Sequence, residues 1–429
     1  MPYFNELAAK FNTLHEWLDL KKEQGADFED IHNEVSKFLG NMTEQVQQLS
    51  GSRDADEPDA LDEIKKLRPQ GPRVLPLDLT EDQLYNKMLG AWLGRSAGCI
   101  LGIPVEGRSR QWIEAWAKKL GQPYPLTEYF AGYPDISRIH YSEPIENSLK
   151  ANIDHVSADD DLVYSVLGLL ILEEYGLNFT PENVGEAWVK YLPLACTAER
   201  VALENLKNGL IPPQTALKDN PYYEWIGADI RSDPWSYCAP GLPELAAEFA
   251  WRDATVSHIR NGIYGEMFFS AVIAAAFAER DTRKLLHIGL SEIPAKCALT
   301  ETVLETIKWC YDDRDWSKTH DRVAERYAGM SGAHTLNNAA ITIMGLLYGE
   351  GDFEKTISLA VMGGIDTDCN AATAGSIMGA IIGAEALPAK WTKPLGDTLN
   401  TYLNGQTRQS ITDLARRCCK IAAQTRNMK

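Results

Sequence analysis

Apolar residues recur at helical spacing along most of the chain. Segments with a 3.6-residue apolar period or an Ala-rich composition cover residues 81–92, 162–175, 181–191, 264–280, 300–311, 337–348, 353–362 and 371–386, and a basic terminal helix is predicted over residues 408–429. Gly-rich and Asp-rich turns separate these segments, and no convincing series of alternating strands is found. The pattern therefore predicts an all-α main domain that carries its chemistry in the loops.

The first 75 residues have a different pattern. Two amphipathic helices are predicted on either side of Gly25, with Leu7 and Phe11 on the apolar face of the first and Ile31 and Phe38 on that of the second. Residues 50–73 have the acidic, Pro- and Gly-containing composition of a linker. We expect an acidic helical extension and linker over residues 1–75 and one large helical domain over residues 76–429.

Charge changes the list of expected partners. The 429-residue chain has a formal net charge of −18, which argues against binding to nucleic acid. Residues 1–70 alone hold 15 acidic and 8 basic side chains, a net charge of −7. This extension is either a solvated helical cap on the main domain or an arm that contacts a partner protein. Both interpretations stay open on the sequence.

Cysteine usage and the N-terminal residues indicate a location. The 8 cysteines are scattered without a C-x-x-C pair or zinc-ligand spacing, so neither a structural zinc nor a disulfide framework is indicated. No secretory signal is visible, and the apolar stretch 267–277 is too short to span a bilayer. We expect a reduced, cytoplasmic protein that does not associate with a membrane.

Glycines and a carboxylate combine in the segment 94–106. The apolar helix is predicted to break here into a Gly-rich loop that Glu106 closes. Glycines such as Gly98 and Gly102 allow a ligand to approach the backbone closely. They equally allow two helices to pack closely, and the sequence alone favours this simpler explanation.

Three adjacent carboxylates, Asp159, Asp160 and Asp161, come directly before an amphipathic helix. Acidic residues at a helix start cap free N–H groups and complement the helix dipole. That explains one or two of them. Three adjacent carboxylates repel one another, and a divalent cation is the natural way to hold them together.

A second acidic turn lies between an apolar helix and an Ala/Gly-rich helix. Gly363 and Gly364 are suited to end the first helix, and Asp368 is suited to cap the second. However, Asp366 and Asp368 flank a hydroxyl in a turn too short to need both as caps, as ligands of a hard cation would. The two acidic turns are therefore predicted to converge on one cluster of Mg²⁺ or Mn²⁺ ions.

In this order and at this spacing, the three stretches resemble the signature of the ADP-ribosylglycohydrolase family. Its members include dinitrogenase-reductase-activating glycohydrolases and ADP-ribosylarginine hydrolases. In that family a Gly-Asp-x-x-Gly-x-Pro-Val-Glu loop, a Thr/Ser-Asp-Asp-Thr turn and a Gly-Asp-Thr-Asp-Thr turn hold two divalent metals inside an all-helical fold. The resemblance spans roughly residues 80–390.

The resemblance implies roles for individual residues. Glu106 matches the loop glutamate, Asp160 and Asp161 match the Asp-Asp pair, and a register shifted by one residue stays open. The implied residues are, as catalytic groups, Glu106, Asp160 and Asp161; as metal ligands, Asp159, Asp160, Asp161, Asp366 and Asp368; and as substrate-binding residues, Gly98, Gly102, Glu106, Gly363, Gly364 and Asn370.

Two cysteines depart from the family pattern. Cys369 stands where the family has its final Thr, and Cys99 stands in place of the loop aspartate. A neutral thiol is a poor ligand for Mg²⁺. These departures put the occupancy of both metal sites in doubt more than the fold.

The resemblance implies a metal-dependent hydrolase with two Mg²⁺ ions that cleaves the N-glycosidic bond of mono-ADP-ribosylated protein, with arginine as the favoured acceptor. Two alternatives stay open. One is a catalytically weakened protein that binds ADP-ribose, as the two cysteines suggest. The other is an antidote that neutralises an ADP-ribosyltransferase toxin through residues 1–75, through hydrolysis, or through both.

Overall fold

The computed structural model describes residues 2–27, 29–49, 52–134 and 138–426 of the chain. The protein divides into two compact units, Met1–Ala55 and Asp56–Lys429. The predicted domain boundary near residue 75 stays a prediction.

The first unit consists of two helices, α1 (Pro2–Glu23) and α2 (Glu29–Gln47). Gly25 lies between them with a φ of 70°, which glycine adopts without strain. No residue of α2 is buried, and the Phe38 residue is 60% exposed. The predicted helices are present, and most of the apolar residues described on them, such as Phe11 and Ile31, are exposed within this unit.

The second unit is almost entirely helical, as the apolar periodicity predicts. Its helices are α3 (Leu61–Leu67), α4 (Glu81–Gly102), α5 (Arg110–Lys119), α6 (Asp160–Tyr175), α7 (Pro181–Tyr191), α8 (Thr197–Lys207), α9 (Gln214–Leu217), α10 (Ser232–Tyr237), α11 (Pro243–Ala254), α12 (Asn261–Ala276), α13 (Thr282–Leu290), α14 (Ala298–Asp313), α15 (Trp316–Arg326), α16 (Thr335–Gly349), α17 (Phe353–Met362), α18 (Thr367–Ile382), α19 (Ala389–Thr392) and α20 (Ile411–Arg426). The all-α class is confirmed.

Two short antiparallel strand pairs interrupt the helices. Strands β1 (Ile139–His140) and β2 (Glu143–Pro144) pair with His140 opposite Glu143. Strands β3 (Thr398–Asn400) and β4 (Arg408–Ser410) pair with Leu399 opposite Gln409. Strands this short carry too few residues for alternation to be visible in a sequence. The second pair also takes up the first residues of the predicted C-terminal helix, which begins at Ile411.

The predicted break in the helix at residues 94–106 is wrong. Helix α4 continues without a break to Gly102 because its glycines serve helix packing. Four glycines spaced four residues apart lie along one face of α4, and a Cβ on any of them would run into the backbone of α18 or of the residues that follow it. The glycines of α4 on this face are Gly90, Gly94, Gly98 and Gly102.

Helix α4 is the core helix of this unit. Thr80 and Gln83 form a reciprocal capping box at its start. The segment Glu81–Val105 is long and apolar enough to cross a membrane, but 89% of its most apolar window is buried inside the fold. Its apolar character is therefore explained by the core, and the cytoplasmic location stays a prediction.

Part of the segment predicted as linker packs on the second unit. Ile64 of α3 is fully buried, and Arg68 and Arg73 both pair with the buried Glu292 at 2.6 Å. Glu57 is also buried, and its carboxylate pairs with Arg260. This part of the segment therefore forms specific ion pairs, although its acidic, proline-containing composition is typical of a linker.

We predict that Gly98→Ala destabilises the protein. The added Cβ would collide with the backbone of Ala371 on α18, which cannot move cheaply. The free energy of unfolding, measured by urea denaturation, should fall by about 1–3 kcal/mol. Gly132→Ala is the matched control, because its Cβ would meet only the Leu120 side chain at 3.5 Å. Equal stabilities of the two variants would contradict a helix contact that depends on glycine.

Candidate functional site

The three acidic stretches meet at one end of the α4–α18 pair. Glu106 follows α4, and Asp366 and Asp368 lie at the N-terminus of α18. The ligand atoms of Glu106, His140 and Asp368 all lie within 4.8 Å of one another. Residues separated by more than two hundred positions are therefore neighbours in the fold.

The start of α6 provides the other carboxylates. Asp159 is the N-cap residue, and its Oδ1 accepts the amide hydrogen of Asp161 at 2.9 Å. Ligand atoms of Asp159, Asp161 and the Cys99 thiol lie within 4.8 Å of one another. The helix N-terminus favours negative charge, which helps to explain why the carboxylates collect here. The register of the Asp-Asp pair at this turn stays a prediction.

The three aspartates of this turn differ in their electrostatics. Burial opposes ionisation of Asp159, but the hydrogen bond and charge of His140, together with the Asp161 amide, outweigh burial and hold the pKa of Asp159 below its usual value. Burial and the charge of Asp159 together raise the pKa of Asp160 and of Asp161 well above the ordinary range. The turn therefore brings together more carboxylates than its own surroundings keep ionised.

The carboxylates of the turn before α18 also have raised pKa values. Asp366, and not Asp368 as the sequence suggested, is the N-cap residue. Burial and the charge of Glu106 raise the pKa of Asp366 to about 7 and that of Asp368 well above its usual value. The buried Oδ1 of Asp368 has no hydrogen-bond partner among the described residues. A buried carboxylate oxygen without a partner is costly unless a cation binds it.

These residues fit a site for divalent cations. The donors are carboxylate oxygens, which Mg²⁺ and Mn²⁺ prefer, and a bound cation would relieve the repulsion that raises their pKa values. Burial, followed by the charge of Asp159, raises the pKa of the Cys99 thiol well above its ordinary value. Cys99 therefore stays a neutral thiol and adds no charge to the donor set.

Arg95 holds one side of the site and was not predicted from the sequence. It is fully buried in α4, and its Nη2 donates to the Asp161 carbonyl at 2.7 Å and to the Asp161 carboxylate at 3.1 Å. Its Nη1 pairs with Asp233 at 2.6 Å. Arg95 thus anchors the first turn of α6 to α4. The signal in the sequence is a single arginine inside an apolar helix.

The β1–β2 hairpin contributes two further residues that were not predicted. His140 Nε2 lies 2.6 Å from Asp159 Oδ2, and its Nδ1 lies 3.7 Å from Glu106 Oε2. Arg138 Nη2 lies 3.2 Å from the same Glu106 oxygen. Burial opposes the charged form of His140, but the hydrogen bond to Asp159 and the charges of Asp159 and Glu106 together outweigh burial and raise the pKa of the imidazole. The hairpin therefore places positive charge over the carboxylates.

Backbone hydrogen bonds fix the two loops that carry Glu106 and Asp366. Gly107 donates to the Ile365 carbonyl at 2.8 Å, and Ile365 donates to the Arg108 carbonyl at 3.1 Å. Ile365 has a φ of 57°, a conformation that strains a β-branched residue. The two backbone hydrogen bonds thus hold Ile365, the residue before Asp366, in this conformation.

The predicted substrate-binding glycines have structural partners. Gly98 and Gly102 are buried against α18, and the amides of Gly363 and Gly364 donate to carbonyls of α17. Substrate contact by these four glycines stays a prediction.

Asn370 is also engaged within the fold. It is fully buried in α18. Its side chain accepts from Thr342 at 3.0 Å and donates to Asn338 at 2.9 Å. Its predicted contact with substrate stays a prediction as well.

Comparison with known proteins agrees with this geometry. The sequence profile of the ADP-ribosylglycohydrolase family matches residues 80–427. A chain from a solved structure described as an ADP-ribosylglycohydrolase-related protein complex has 19% sequence identity and a TM-score of 0.54, over 80% of this chain and 99% of that chain. At this identity the likeness supports the fold alone. Comparison with curated proteins finds no match. The profile match covers most of the chain, and the protein belongs to the ADP-ribosylglycohydrolase family of glycohydrolases that act on ADP-ribosyl compounds.

Proposed function

We propose that the protein hydrolyses the N-glycosidic bond between ADP-ribose and an arginine side chain of a modified protein, and that it needs divalent cations to do so. The observation that carries this proposal is the cluster of buried carboxylates with Glu106 at its edge. Arginine is favoured because the sequence motifs resemble the subgroup that acts on this linkage.

Five aspartates would hold two Mg²⁺ ions: Asp159, Asp160, Asp161, Asp366 and Asp368. A bound pair of such ions supplies Lewis acidity toward water and toward the ribose hydroxyls. The N-termini of α6 and α18 fix these ligands on rigid elements.

Glu106 is the proposed acid/base group. Its side chain is 35% exposed, which leaves it accessible to substrate and water. Its carboxylate accepts a proton from water as the water oxygen bonds to the anomeric carbon. The bond from that carbon to the acceptor nitrogen breaks, and its electron pair goes to the nitrogen. Glu106 then donates the proton that it took from water to this nitrogen. ADP-ribose and free arginine side chain are the products.

A second candidate function is ADP-ribose binding with weak or no turnover. It is supported by the buried neutral thiols of Cys99 and Cys369, which stand at positions where the family has oxygen donors or their supports. Saturable binding of ADP-ribose without its release from any modified protein would favour this alternative.

A third candidate concerns the first unit. Its helices expose large apolar side chains, including Phe11, Trp17, Ile31 and Phe38. Exposed apolar residues at helical spacing suit contact with a partner protein. The proposed partner is an ADP-ribosyltransferase toxin that this arm would bind, which would make the protein an antidote.

We predict that Asp366→Ala and Asp160→Ala each abolish release of ADP-ribose in the presence of Mg²⁺. Each variant removes one of the proposed carboxylate ligands of the two Mg²⁺ ions. The rate of ADP-ribose release should therefore fall by at least about 100-fold. Chromatographic assay of ADP-ribose released from arginine-modified and serine-modified proteins measures both the loss and the acceptor preference. Turnover like that of the wild type in both variants would refute the metal assignment.

We predict opposite effects of Asp366→Asn on the ion-free and ion-loaded protein. Without ions the variant should melt at a higher temperature than the wild type, because it lacks one half-buried carboxylate that the other carboxylates repel. With Mg²⁺ the wild type should gain stability that the variant does not gain. Thermal unfolding in EDTA and then in MgCl₂ measures both effects.

The effect of Asp366→Asn should depend on pH in a defined direction. The Asp366 carboxyl has a pKa of 3.8 in the unfolded chain, and burial and the charge of Glu106 raise its pKa to about 7 in the ion-free fold. Its contribution to stability is therefore lost as the pH rises from about 4 to about 7, and the advantage of the variant should grow over that range. Asp413→Asn is the control, since this side chain is 57% exposed. An Mg²⁺ shift in Asp366→Asn equal to that of the wild type would contradict the assignment.

We predict that deletion of residues 1–55 abolishes toxin binding and preserves ADP-ribose release. The deletion removes the first unit and keeps the ion pairs of Glu57, Arg68 and Arg73. Calorimetric titration of the toxin into both forms measures the effect. Unchanged toxin binding would discard the antidote function of the arm.

A further inference from the structure

Arg138 lies at the edge of the carboxylate cluster. Its Nη2 is 3.2 Å from Glu106 Oε2, and the two side chains are 32% and 35% exposed. Asp159 and Asp368, deeper in the cluster, are buried. The Arg138–Glu106 pair is therefore accessible to an incoming molecule.

The backbone beneath Arg138 is held by contacts that do not involve its guanidinium. The Arg138 carbonyl accepts from the Ile145 amide at 2.9 Å. On the opposite strand, Glu143 Oε1 accepts from the Ala158 amide at 3.0 Å and from Asn400 at 3.1 Å. His140 is fixed to Asp159. The Arg138 side chain is thus able to leave Glu106 while the hairpin stays in place.

The chemistry around this pair suits a guanidinium group. Guanidinium binds best where a carboxylate and aromatic rings are close together. Glu106 supplies the carboxylate. The hairpin supplies two rings: His140, whose Nδ1 lies 3.7 Å from Glu106 Oε2, and Tyr141, which packs edge-on against His140 with centroids 4.8 Å apart.

We infer that Glu106 and the β1–β2 hairpin form a subsite for the guanidinium of the acceptor, and that Arg138 occupies this subsite in the absence of substrate. The inference rests on the proposed function, because an arginine acceptor presents the same group that Arg138 presents. An acceptor must then displace Arg138 before Glu106 can act on it. The chain's own arginine competes with the arginine of the substrate.

Calorimetric titration of agmatine, a guanidinium compound without ADP-ribose, tests this inference in the full chain with MgCl₂ present. Arg138→Ala should bind agmatine about two- to fivefold more tightly than the wild type, as loss of one partly exposed competing ion pair allows. Glu106→Gln should lose agmatine binding. Arg138→Gln, which removes the charge and keeps most of the side chain, should behave like Arg138→Ala and serves if the alanine variant does not fold.

Arg417→Ala is the matched control. Arg417 pairs with Glu173 at 2.7 Å, and these side chains are 22% and 35% exposed, so the pair resembles Arg138–Glu106 in exposure. The pair joins α20 to the C-terminal end of α6, whereas the aspartate turn lies at the N-terminal end of α6. Its loss should leave agmatine affinity unchanged.

Several outcomes would overturn the inference. Equal agmatine affinity in the wild type and Arg138→Ala would do so, and so would absence of agmatine binding in both. A fall in kcat of Arg138→Ala with unchanged agmatine affinity would mean that Arg138 only positions Glu106. The proposed function fails separately, if agmatine binds as expected and no ADP-ribose is released from arginine-modified protein.

Discussion

Repulsion between carboxylates in a buried site is the constraint on which the rest of this structure depends. Aspartates from the starts of α6 and α18 and the glutamate after α4 lie close enough that their charges, together with burial, raise the pKa values of Asp160, Asp366 and Asp368. The fold brings them together through the glycine face of α4, which lets α18 approach at backbone distance. The packing of α4 against α18 thus keeps carboxylates close together that would otherwise move apart.

The fold compensates only part of this charge. Arg95 binds the backbone carbonyl and the carboxylate of Asp161, and His140 binds the carboxylate of Asp159. These two contacts offset part of the negative charge. The pKa values of Asp160, Asp161, Asp366 and Asp368 stay raised despite these partners. Leaving a buried carboxylate uncompensated costs several kcal/mol, which is reason to expect that a cation completes the site.

The sequence was informative where the physical signal is local. A 3.6-residue period predicts helices directly, and adjacent acidic residues at helix starts, such as Asp159 and Asp366, mark the site. The course of α4 was predicted wrongly because a glycine every four residues looks like a break unless the partner helix is known. Here Gly98 is explained only by Ala371, nearly three hundred positions away.

Other residues could not be assigned from the sequence because their roles depend on the tertiary fold. Arg95 looks like an isolated charge until α6 is placed beside it, and Arg138 and His140 lie on strands of two residues each or next to them. Asp366 caps α18 in place of Asp368, a difference of two residues that composition does not distinguish.

The most direct measurement of the central claim is a crystal structure of the full chain soaked in Mn²⁺, with anomalous scattering recorded. The account predicts anomalous peaks among Asp159, Asp366 and Asp368, at about 2.0–2.2 Å from carboxylate oxygens. Absence of any peak there, with these side chains turned away from one another, would contradict it.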